Sequence, residues 1–449
     1  MIVSKFGGTS VADAEAITRT AEIIRGRRER RPVVIVSALA GVTNDLLAVA
    51  EHAVQGELLT AMQAVEALRR RHFQTAEKLL GPAEAAELCA EMSVMFDELA
   101  SLAGALSVLG HLTPRSLDSI AATGELLSSQ IVVAAYNKLG LNAGLVDARQ
   151  VVITDDAYTK AVPHAEAIQA AARETILPLL REGRIPVLGG FVGATATGIT
   201  TTLGRGGSDY SAALVGAALD AEAIEIWTDV DGMLTADPRI VEGARLIEQI
   251  RFDEASELAS FGAKVLHPST IAPAVRRGIP VYVYNSLRPS GTGTRITFEA
   301  PRRPVSAIAG KKGTTIVKVR SSRMLLSHGF LRTIFEVFER HRTSIDVVAT
   351  SEVSVSVTVD QTERLDAILV DLATLGDVSV ERSRGIIAIV GAGLNDDTVA
   401  MAKAMQSLQG IKVHMLSLSA TGINFTLIVD ADDVAPAMRR LHAAFFSSP

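Results

Sequence analysis

PVVIVSALAGVTN (32–44) is the stretch that decides the fold. It opens with an apolar, β-branched run, which is typical of a buried strand. The small residues that follow, together with Thr43 and Asn44, mark a turn into a helix. Open α/β sheets bind ligands at the carboxyl ends of their strands, so this junction indicates either a ligand-binding loop or a plain helix cap.

Similar short apolar runs recur at 186–192, 222–228 and 280–285. Helical patterns lie between them, for example at 14–27 and 165–183. This alternation predicts an α/β fold: an open, mostly parallel sheet with helices on both faces.

The chain divides into a large first domain and two smaller modules. Residues 44–140 are almost wholly helical in pattern, and we interpret them as an insertion in a domain spanning 1–300. A segment rich in Gly, Pro and Arg follows at 291–305. Beyond it, the order strand, helix, strand, strand, helix occurs twice, which predicts two ferredoxin-like α+β modules in tandem at 313–385 and 386–449.

Composition narrows the class of protein. The formal net charge of −6 argues against a nucleic-acid partner. The single cysteine, Cys89, excludes a disulfide within the chain and suits a reducing cytosol. The N-terminus lacks a signal-peptide pattern, and we expect no apolar run long enough to cross a bilayer. These features predict a cytoplasmic protein without a membrane partner.

The segment KFGGTSV (5–11) has the features of a phosphate-binding turn. Gly7 and Gly8 let the backbone approach phosphate oxygens, and Lys5 supplies a point charge. It is not a Walker A loop, whose spacing is absent from the chain. The alternative is an ordinary strand-to-helix turn.

A second glycine-rich turn, TTLGRGGSDYSA (201–212), carries both a cation and a carboxylate. Arg205 is a planar fork suited to a carboxylate or phosphate, and the glycines free the backbone to curl around anions. Asp209 is placed to orient Lys5 or a substrate amine. A structural Arg–Asp salt bridge is the alternative.

Three further segments carry candidate residues. In TGELLSSQ (123–130) we place Glu125 at a helix start, as a clamp for an ammonium group or a first-turn acid stabilised by the helix dipole. TDVDGMLTADPR (228–239) is an acidic loop suited to gripping a nucleotide. In FGAKVLHP (261–268), Lys264 is either a phosphate contact or a surface lysine. The histidines lack metal-ligand spacing, so no protein-held metal site is expected.

These motifs occur in the order in which they occur in aspartate kinases (aspartokinases), and the chain resembles that family over essentially its whole length. The last two modules resemble paired ACT domains, which bind amino acids. SRMLLSHGFL (322–331) and SIDVVATSEVSVSVTVD (344–360) are most similar to the lysine-inhibited branch.

The resemblance implies an activity and a set of site residues. The activity is ATP- and Mg²⁺-dependent phosphorylation of L-aspartate to 4-phospho-L-aspartate, the first step of lysine, threonine and methionine biosynthesis. Thr43, Glu125 and Arg205 would hold aspartate, and Lys5, Arg205 and Asp209 would form the catalytic group. The implied ATP-binding residues are Lys5, Gly7, Gly8, Thr228, Asp229, Leu234, Arg239, Lys264 and Val265. Leu234 departs from the aromatic residue that family members often carry there, which puts a stacking contact with the base in doubt.

The resemblance also implies regulation and assembly. L-Lysine is the implied inhibitor, with threonine or a lysine-plus-threonine response as the alternatives, and the ACT modules imply a homodimer or homotetramer. The implied lysine-site residues are Met324, Ser327, Phe330, Leu331, Ser344, Ile345, Asp346, Thr350, Ser351 and Glu352. Two other functions remain open: a related kinase acting on glutamate, acetylglutamate, carbamate or UMP, and a catalytically idle amino-acid sensor.

Overall fold

The computed structural model describes residues 1–262, 266, 268–325 and 327–447. The chain forms two compact units. The first comprises Met1–Met233 and Val265–Glu299, and the second comprises Leu234–Lys264 and Ala300–Pro449. Lys264 and Val265, assigned above to the nucleotide pocket, lie outside the described residues.

The strands and helices have the following bounds in chain order. The strands are β1 Ile2–Phe6, β2 Pro32–Val36, β3 Ala143–Leu145, β4 Ile153–Thr154, β5 Ile185–Gly189, β6 Val192–Thr195, β7 Thr200–Thr202, β8 Ala223–Thr228, β9 Gln249–Ile250, β10 Val281–Asn285, β11 Thr294–Ile296, β12 Ala307–Arg320, β13 Val348–Thr350, β14 Ser354–Val359, β15 Asp377–Val390, β16 Val413–Leu418 and β17 Asn424–Asp430. The helices are α1 Ala14–Arg25, α2 Val42–Val54, α3 Leu58–Leu80, α4 Pro82–Leu109, α5 Pro114–Lys138, α6 Ala165–Arg181, α7 Gly207–Ala218, α8 Phe252–Ser260, α9 Ala272–Arg277, α10 Phe330–Arg340, α11 Leu365–Ala373, α12 Thr398–Ser407 and α13 Val434–Phe446.

The main sheet of the first unit is mostly parallel, as expected. Its strands lie in the order β3-β5-β2-β1-β8-β10-β11, and β11 alone pairs antiparallel within that series. Phe6 and Val34 face the core shared with helices α1–α5. Val3 and Ile224 face α7, which comes close at Gly216. Helices therefore cover both faces, and the carboxyl ends of the parallel strands meet at one edge.

The helical insertion consists of α2, α3, α4 and α5. The predicted break is present, since α3 ends at Leu80 and α4 begins at Pro82. The placement of Glu125 at a helix start was wrong: α5 begins at Pro114, after the cap residue Thr113, so Glu125 lies in its middle. The dipole of the first turn consequently does not stabilise this carboxylate, because that effect fades within one turn.

Helix α4 shows that the expectation of no apolar segment long enough to cross a bilayer was wrong. Its 28 residues include a window whose mean hydropathy of 1.4 is sufficient for a membrane span by length and composition alone. One face of the helix, including Met92, Phe96 and Leu99, packs into the core of the first unit. The buried residues of α4 recur every three or four positions, which is the spacing of a helix packed along one stripe against a core.

The second unit contains an antiparallel sheet in the order β13-β14-β12-β15-β17-β16. The two predicted modules share this sheet. Val317 and Val319 pack with α10 and α11, while Ile387 and Ile389 pack with α12 and α13.

The modules are interleaved in sequence, which the prediction of two tandem copies did not include. Ile308, at the start of β12, packs in the core of the second module, whereas Val317 on the same strand packs in the first. Strand β15 is shared likewise, with Val378 and Val380 against the first core and Ile387 in the second. Two long strands therefore run through both modules.

Candidate active site

Strand β1 delivers Lys5 to the carboxyl edge of the main sheet. Successive strand residues alternate between faces, so Lys5 points to the same face as Val3, towards α7. There its Nζ lies 2.6 Å from Oδ1 of Asp209, and both side chains are largely buried. The contact is a charge pair and not an aligned hydrogen bond, since Oδ1 has no donor in hydrogen-bonding geometry among the described residues. Asp209 thus pairs with Lys5, and the alternative of a structural bridge to Arg205 is not what forms.

Helix α7 begins in the middle of the second glycine-rich turn. Gly204 and Gly206 adopt the left-handed conformation, with φ of 75° and 73°, which residues with a side chain rarely take. The helix starts at Gly207, so the amides of Ser208 and Asp209 lie in its first turn, where helical acceptors are lacking. Such amides form a ready site for anions, and Arg205 stands exposed on the same turn.

Helix α5 buries Glu125 beside the end of β2. The side chain is 3% exposed, and burial raises the pKa of Glu125 to about 8 although the backbone of Ala38 and the charge of Lys5 act in the opposite direction. Its Oε2 lacks a hydrogen-bond partner among the described residues. A buried oxygen left in this way needs either a proton or a cationic ligand.

A cavity of about 650 Å³ brings these groups together. The turns after β1 and β2, the middle of α5 and the turn before α7 line it. Of the predicted residues, it includes Lys5, Gly8, Thr43, Glu125, Arg205 and Asp209. A fixed cation, an exposed guanidinium, free helix amides and the buried carboxyl group of Glu125 thus face a single space.

The lining of this cavity does not include three other residues predicted to bind the nucleotide, Gly7, Thr228 and Asp229. Gly7 donates its amide to the carbonyl of Trp227 at 3.0 Å, and Thr228 donates its hydroxyl to Asp229. Leu234 and Arg239 belong to the second unit, where the exposed Arg239 forms an ion pair of 2.6 Å with Asp237.

The loop after β8 is held to the end of β10. Asn285 donates to Asp231 Oδ1 at 2.8 Å, and the amide of Ser286 donates to the carbonyl of Thr228 at 2.8 Å. The acidic loop that begins at Thr228 therefore starts from a fixed position at the carboxyl edge of the sheet.

Sequence reasoning missed residues that also line the cavity, notably Asp118, Phe191 and Ser208. Asp118 lies on α5 seven positions before Glu125, a spacing that puts both on one face of a helix. This spacing was the signal that could have pointed to Asp118. It could not be used as long as Glu125 was assigned to the start of a helix.

The cavity does not contain a metal cage built by the protein. Within the described ranges, no group of three or more His, Cys, Asp and Glu side chains could hold a metal ion. Mg²⁺ that binds together with a nucleotide usually takes phosphate oxygens and water as most of its ligands.

The chain was compared with family models. Residues 1–285 match the amino acid kinase family, and residues 387–445 match an ACT domain.

It was also compared with known proteins. It is 36% identical to lysine-sensitive aspartokinase 3 of Escherichia coli K12 over 99% of both chains. It is 36% identical to chloroplastic aspartokinase 3 of Arabidopsis thaliana, over 99% of this chain and 82% of the relative.

Solved structures give the same result. The crystal structure of E. coli aspartokinase III in complex with aspartate and ADP (R-state) matches with a TM-score of 0.86 at 36% identity, covering 99% of this chain and 100% of that one. The form in complex with lysine and aspartate (T-state) matches with a TM-score of 0.83.

Proposed function

This chain belongs to the aspartokinase family, and from that premise we propose that it transfers the γ-phosphoryl group of ATP to the side-chain carboxylate of L-aspartate. The product would be 4-phospho-L-aspartate, the entry to lysine, threonine and methionine biosynthesis, made in the cytoplasm. The observation that carries the proposal is the single cavity shared by Lys5, Arg205, Asp209 and the buried Glu125.

The nucleophile needs no general base in this reaction. The side chain of free aspartate has a pKa of about 3.9, so it is ionised at neutral pH. The barrier instead comes from bringing this anion to a polyanionic triphosphate. Catalysis therefore requires positioning and the neutralisation of charge on the transferred group.

Each end of the proposed substrates has a matching group in the cavity. Lys5 neutralises phosphate charge, and Asp209 holds its ammonium in place at 2.6 Å. In this scheme the amides at the start of α7 and the amide of Gly8 face phosphate oxygens. Mg²⁺ bound to the triphosphate supplies further charge neutralisation.

The amino acid is held at three points in this proposal. Arg205 grips its α-carboxylate in a fork, and Glu125 accepts its ammonium group. Oε2 of Glu125, which has no partner among the described residues, is suited to that role. Thr43 contributes a hydroxyl at the same cavity. Thr228, Asp229, Leu234, Arg239, Lys264 and Val265 remain our proposed contacts for the nucleotide.

A panel of substrates tests the proposal. Purified protein with Mg·ATP is offered L-aspartate, L-glutamate, N-acetyl-L-glutamate, carbamate or UMP, and ADP release is followed together with trapping of the acyl phosphate by hydroxylamine. We expect turnover with L-aspartate and a hydroxamate product. Turnover with another acceptor alone would assign a related kinase, and none with any acceptor would favour the amino-acid sensor.

We further propose that L-lysine inhibits the enzyme through the first ACT module and that the chain assembles as a homodimer or homotetramer through these modules. The full-length identity to a lysine-sensitive relative supports this. Met324, Phe330 and Ile345 pack against the core of the first module. Ser327, Leu331, Ser344, Thr350, Ser351 and Glu352 are exposed on the same unit, where a ligand or a second copy can reach them.

Asp346 is the proposed partner of the lysine ligand's α-ammonium. It lies 3.2 Å from Nζ of Lys311, which also contacts Asp360 at 2.5 Å. Burial raises the pKa of Asp346. The ammonium group of a lysine ligand would therefore be the second cation at Asp346, because the first, Lys311, is shared with Asp360.

A further inference from the structure

We propose that Asp118 is a positioning residue that fixes the Arg205 turn at the substrate cavity. The inference rests on the proposed function, since Arg205 is there assigned to the carboxylate of aspartate. Asp118 lines the cavity and is 1% exposed. The residue itself touches no substrate in this scheme and acts through the backbone.

The carboxylate of Asp118 gathers donors from two separate segments. Oδ1 accepts from the hydroxyl of Thr202 at 2.6 Å, and Oδ2 accepts from the amide of Thr202 at 3.0 Å. Both oxygens also lie within reach of the amide of Thr159, at 3.1 and 2.9 Å. Three donors thus converge on one buried carboxylate, and no cation forms an ion pair with it among the described residues.

These contacts lead directly to the Arg205 turn. Thr202 ends β7, and the next residue, Leu203, donates its amide to the carbonyl of Phe191 at 2.9 Å. The carbonyl of Thr159 lies only 3.0 Å from where a Cβ on Gly204 would stand. Asp118 therefore binds Thr202, two residues before Gly204, and Thr159, which lies against Gly204.

Helix α5 links this anchor to the other end of the substrate. Asp118 and Glu125 are seven positions apart, about two turns or roughly 10 Å along the helix axis. Glu125 faces the proposed ammonium site directly, whereas Asp118 sets where Arg205 stands. One rigid helix therefore sets the spacing between the groups that bind the ammonium and the α-carboxylate of the amino acid.

The charge and shape of Asp118 are both required for this task. An asparagine in its place carries no charge and has one acceptor oxygen, so an NH₂ donor would stand where Oδ1 now accepts from the hydroxyl of Thr202. Hydrogen bonds to an ionised acceptor are about twice as strong as those to a neutral one, so the two amides would be held less firmly and the segment could shift. The expected effect of Asp118→Asn is a roughly tenfold rise in the KM for L-aspartate, with the KM for ATP unchanged.

Steady-state kinetics of the full chain test this split, with Thr123→Val as the matched control. Thr123 is also buried on α5, and its hydroxyl bonds only within the helix, to the carbonyl of Ser119 at 3.2 Å. We expect wild-type Michaelis constants in the control. Two results would assign Asp118 a structural role only. One is a folded Asp118→Asn protein with an unchanged aspartate KM. The other is a variant in which kcat alone falls, as it would if a smaller fraction of the protein were active.

Two further measurements keep the inference separable from the proposed function. Thr202→Val removes only the hydroxyl donor to Asp118. We expect an aspartate KM about threefold higher in this variant, which can be measured even if Asp118→Asn fails to fold. An unchanged KM would count against the role of Asp118. Hydrogen exchange of the Thr159 and Thr202 amides should accelerate in Asp118→Asn and not in Thr123→Val. That readout holds even if wild-type protein fails to phosphorylate aspartate, an outcome that would reject the function alone.

Discussion

Glu125 is a carboxyl group whose charge depends on what shares the cavity with it. Burial raises its pKa to about 8, so without a ligand it is protonated at neutral pH. An ammonium group brought close stabilises the ionised form, so binding of the amino acid should release a proton. Affinity for aspartate is then linked to pH through this one residue.

We predict that the KM for L-aspartate falls as the pH rises from about 6.5 to about 8 and levels off above that value. Glu125→Gln should show a higher KM without this pH dependence. Initial rates at saturating Mg·ATP across that range provide the measurement. A wild-type KM that does not vary with pH would contradict the assignment.

The same shift has a consequence for stability. Between a pH of about 4.5, where the carboxyl ionises in the unfolded chain, and about 8, the folded state holds one more proton than the unfolded state. The contribution of Glu125 to stability therefore falls as the pH rises through this window. Glu125→Gln should lack this contribution, which a comparison of the thermal midpoints of both proteins at pH 5 and 8 would detect.

Lys5 and Arg205 should fail in different ways when removed. Lys5→Ala should lower kcat by about two to three orders of magnitude while aspartate still binds, because Lys5 acts on the charge of the transferred group. Arg205→Ala should raise the aspartate KM roughly tenfold or more, because a charged fork on the carboxylate is lost. Kinetics of the two variants should separate these effects, and near-normal turnover by Lys5→Ala would remove it from the mechanism.

At the scale of single residues, what the sequence predicted depended on local pattern. Lys5 precedes one glycine-rich turn, Arg205 stands in another, and Asp209 follows that second turn on α7. The composition of both turns already indicates anion binding, and the structure places all three residues at one cavity. Asp118 lies within a long helix, where an acidic residue is usually a solvated one. Its partners, Thr159 and Thr202, come from distant parts of the chain, so no local pattern could show them.

At the scale of elements, the approach of α5 to the sheet edge depends on Gly124. A Cβ there would lie 2.8 Å from Cβ of Ala38 and 3.2 Å from Cγ1 of Val42. We predict that Gly124→Ala lowers the thermal midpoint and the activity, because the clash outweighs the gain in helix propensity of about 1 kcal/mol.

The control for this prediction is a second glycine inside a helix. At Gly104, in α4, the nearest atom to an added Cβ is Cε of Met62 at 4.0 Å. Gly104→Ala should therefore raise the midpoint, since propensity improves without a clash. Circular dichroism measures the thermal midpoints of both variants. A rise in both midpoints would show that α5 can move away from Ala38 at little cost.

Elements themselves were largely predictable, and their pairing was not. Short apolar runs and helical periodicity gave β2, β8, β10, α1 and α6 nearly at their observed bounds. The start of α5 was missed because nothing at Glu125 shows that its helix began at Pro114. The sharing of β12 by two modules was missed because strand pairing joins residues far apart in sequence.

At the scale of the whole molecule, the regulatory proposal makes a separable prediction. L-Lysine at several millimolar should inhibit the full chain, and Asp346→Asn should raise the concentration for half inhibition by about tenfold while leaving the uninhibited kcat unchanged. Asp366→Asn, an exposed acid on α11 of the same module, is the matched control. Unaltered activity of the wild-type protein in lysine would reject the site.

The strands shared between the two modules restrict how these modules can be exchanged among relatives. A crossover at residue 385 would split β15 and separate the start of β12, with Ile308, from the core that it fills. A chimera must instead inherit everything from 307 onward as one cassette. Even then it leaves behind Glu254 of α8, which accepts hydrogen bonds from the hydroxyl of Ser306 and the amide of Ala392. Grafts that transfer α8 along with the cassette should therefore give far more soluble protein than grafts with a single junction.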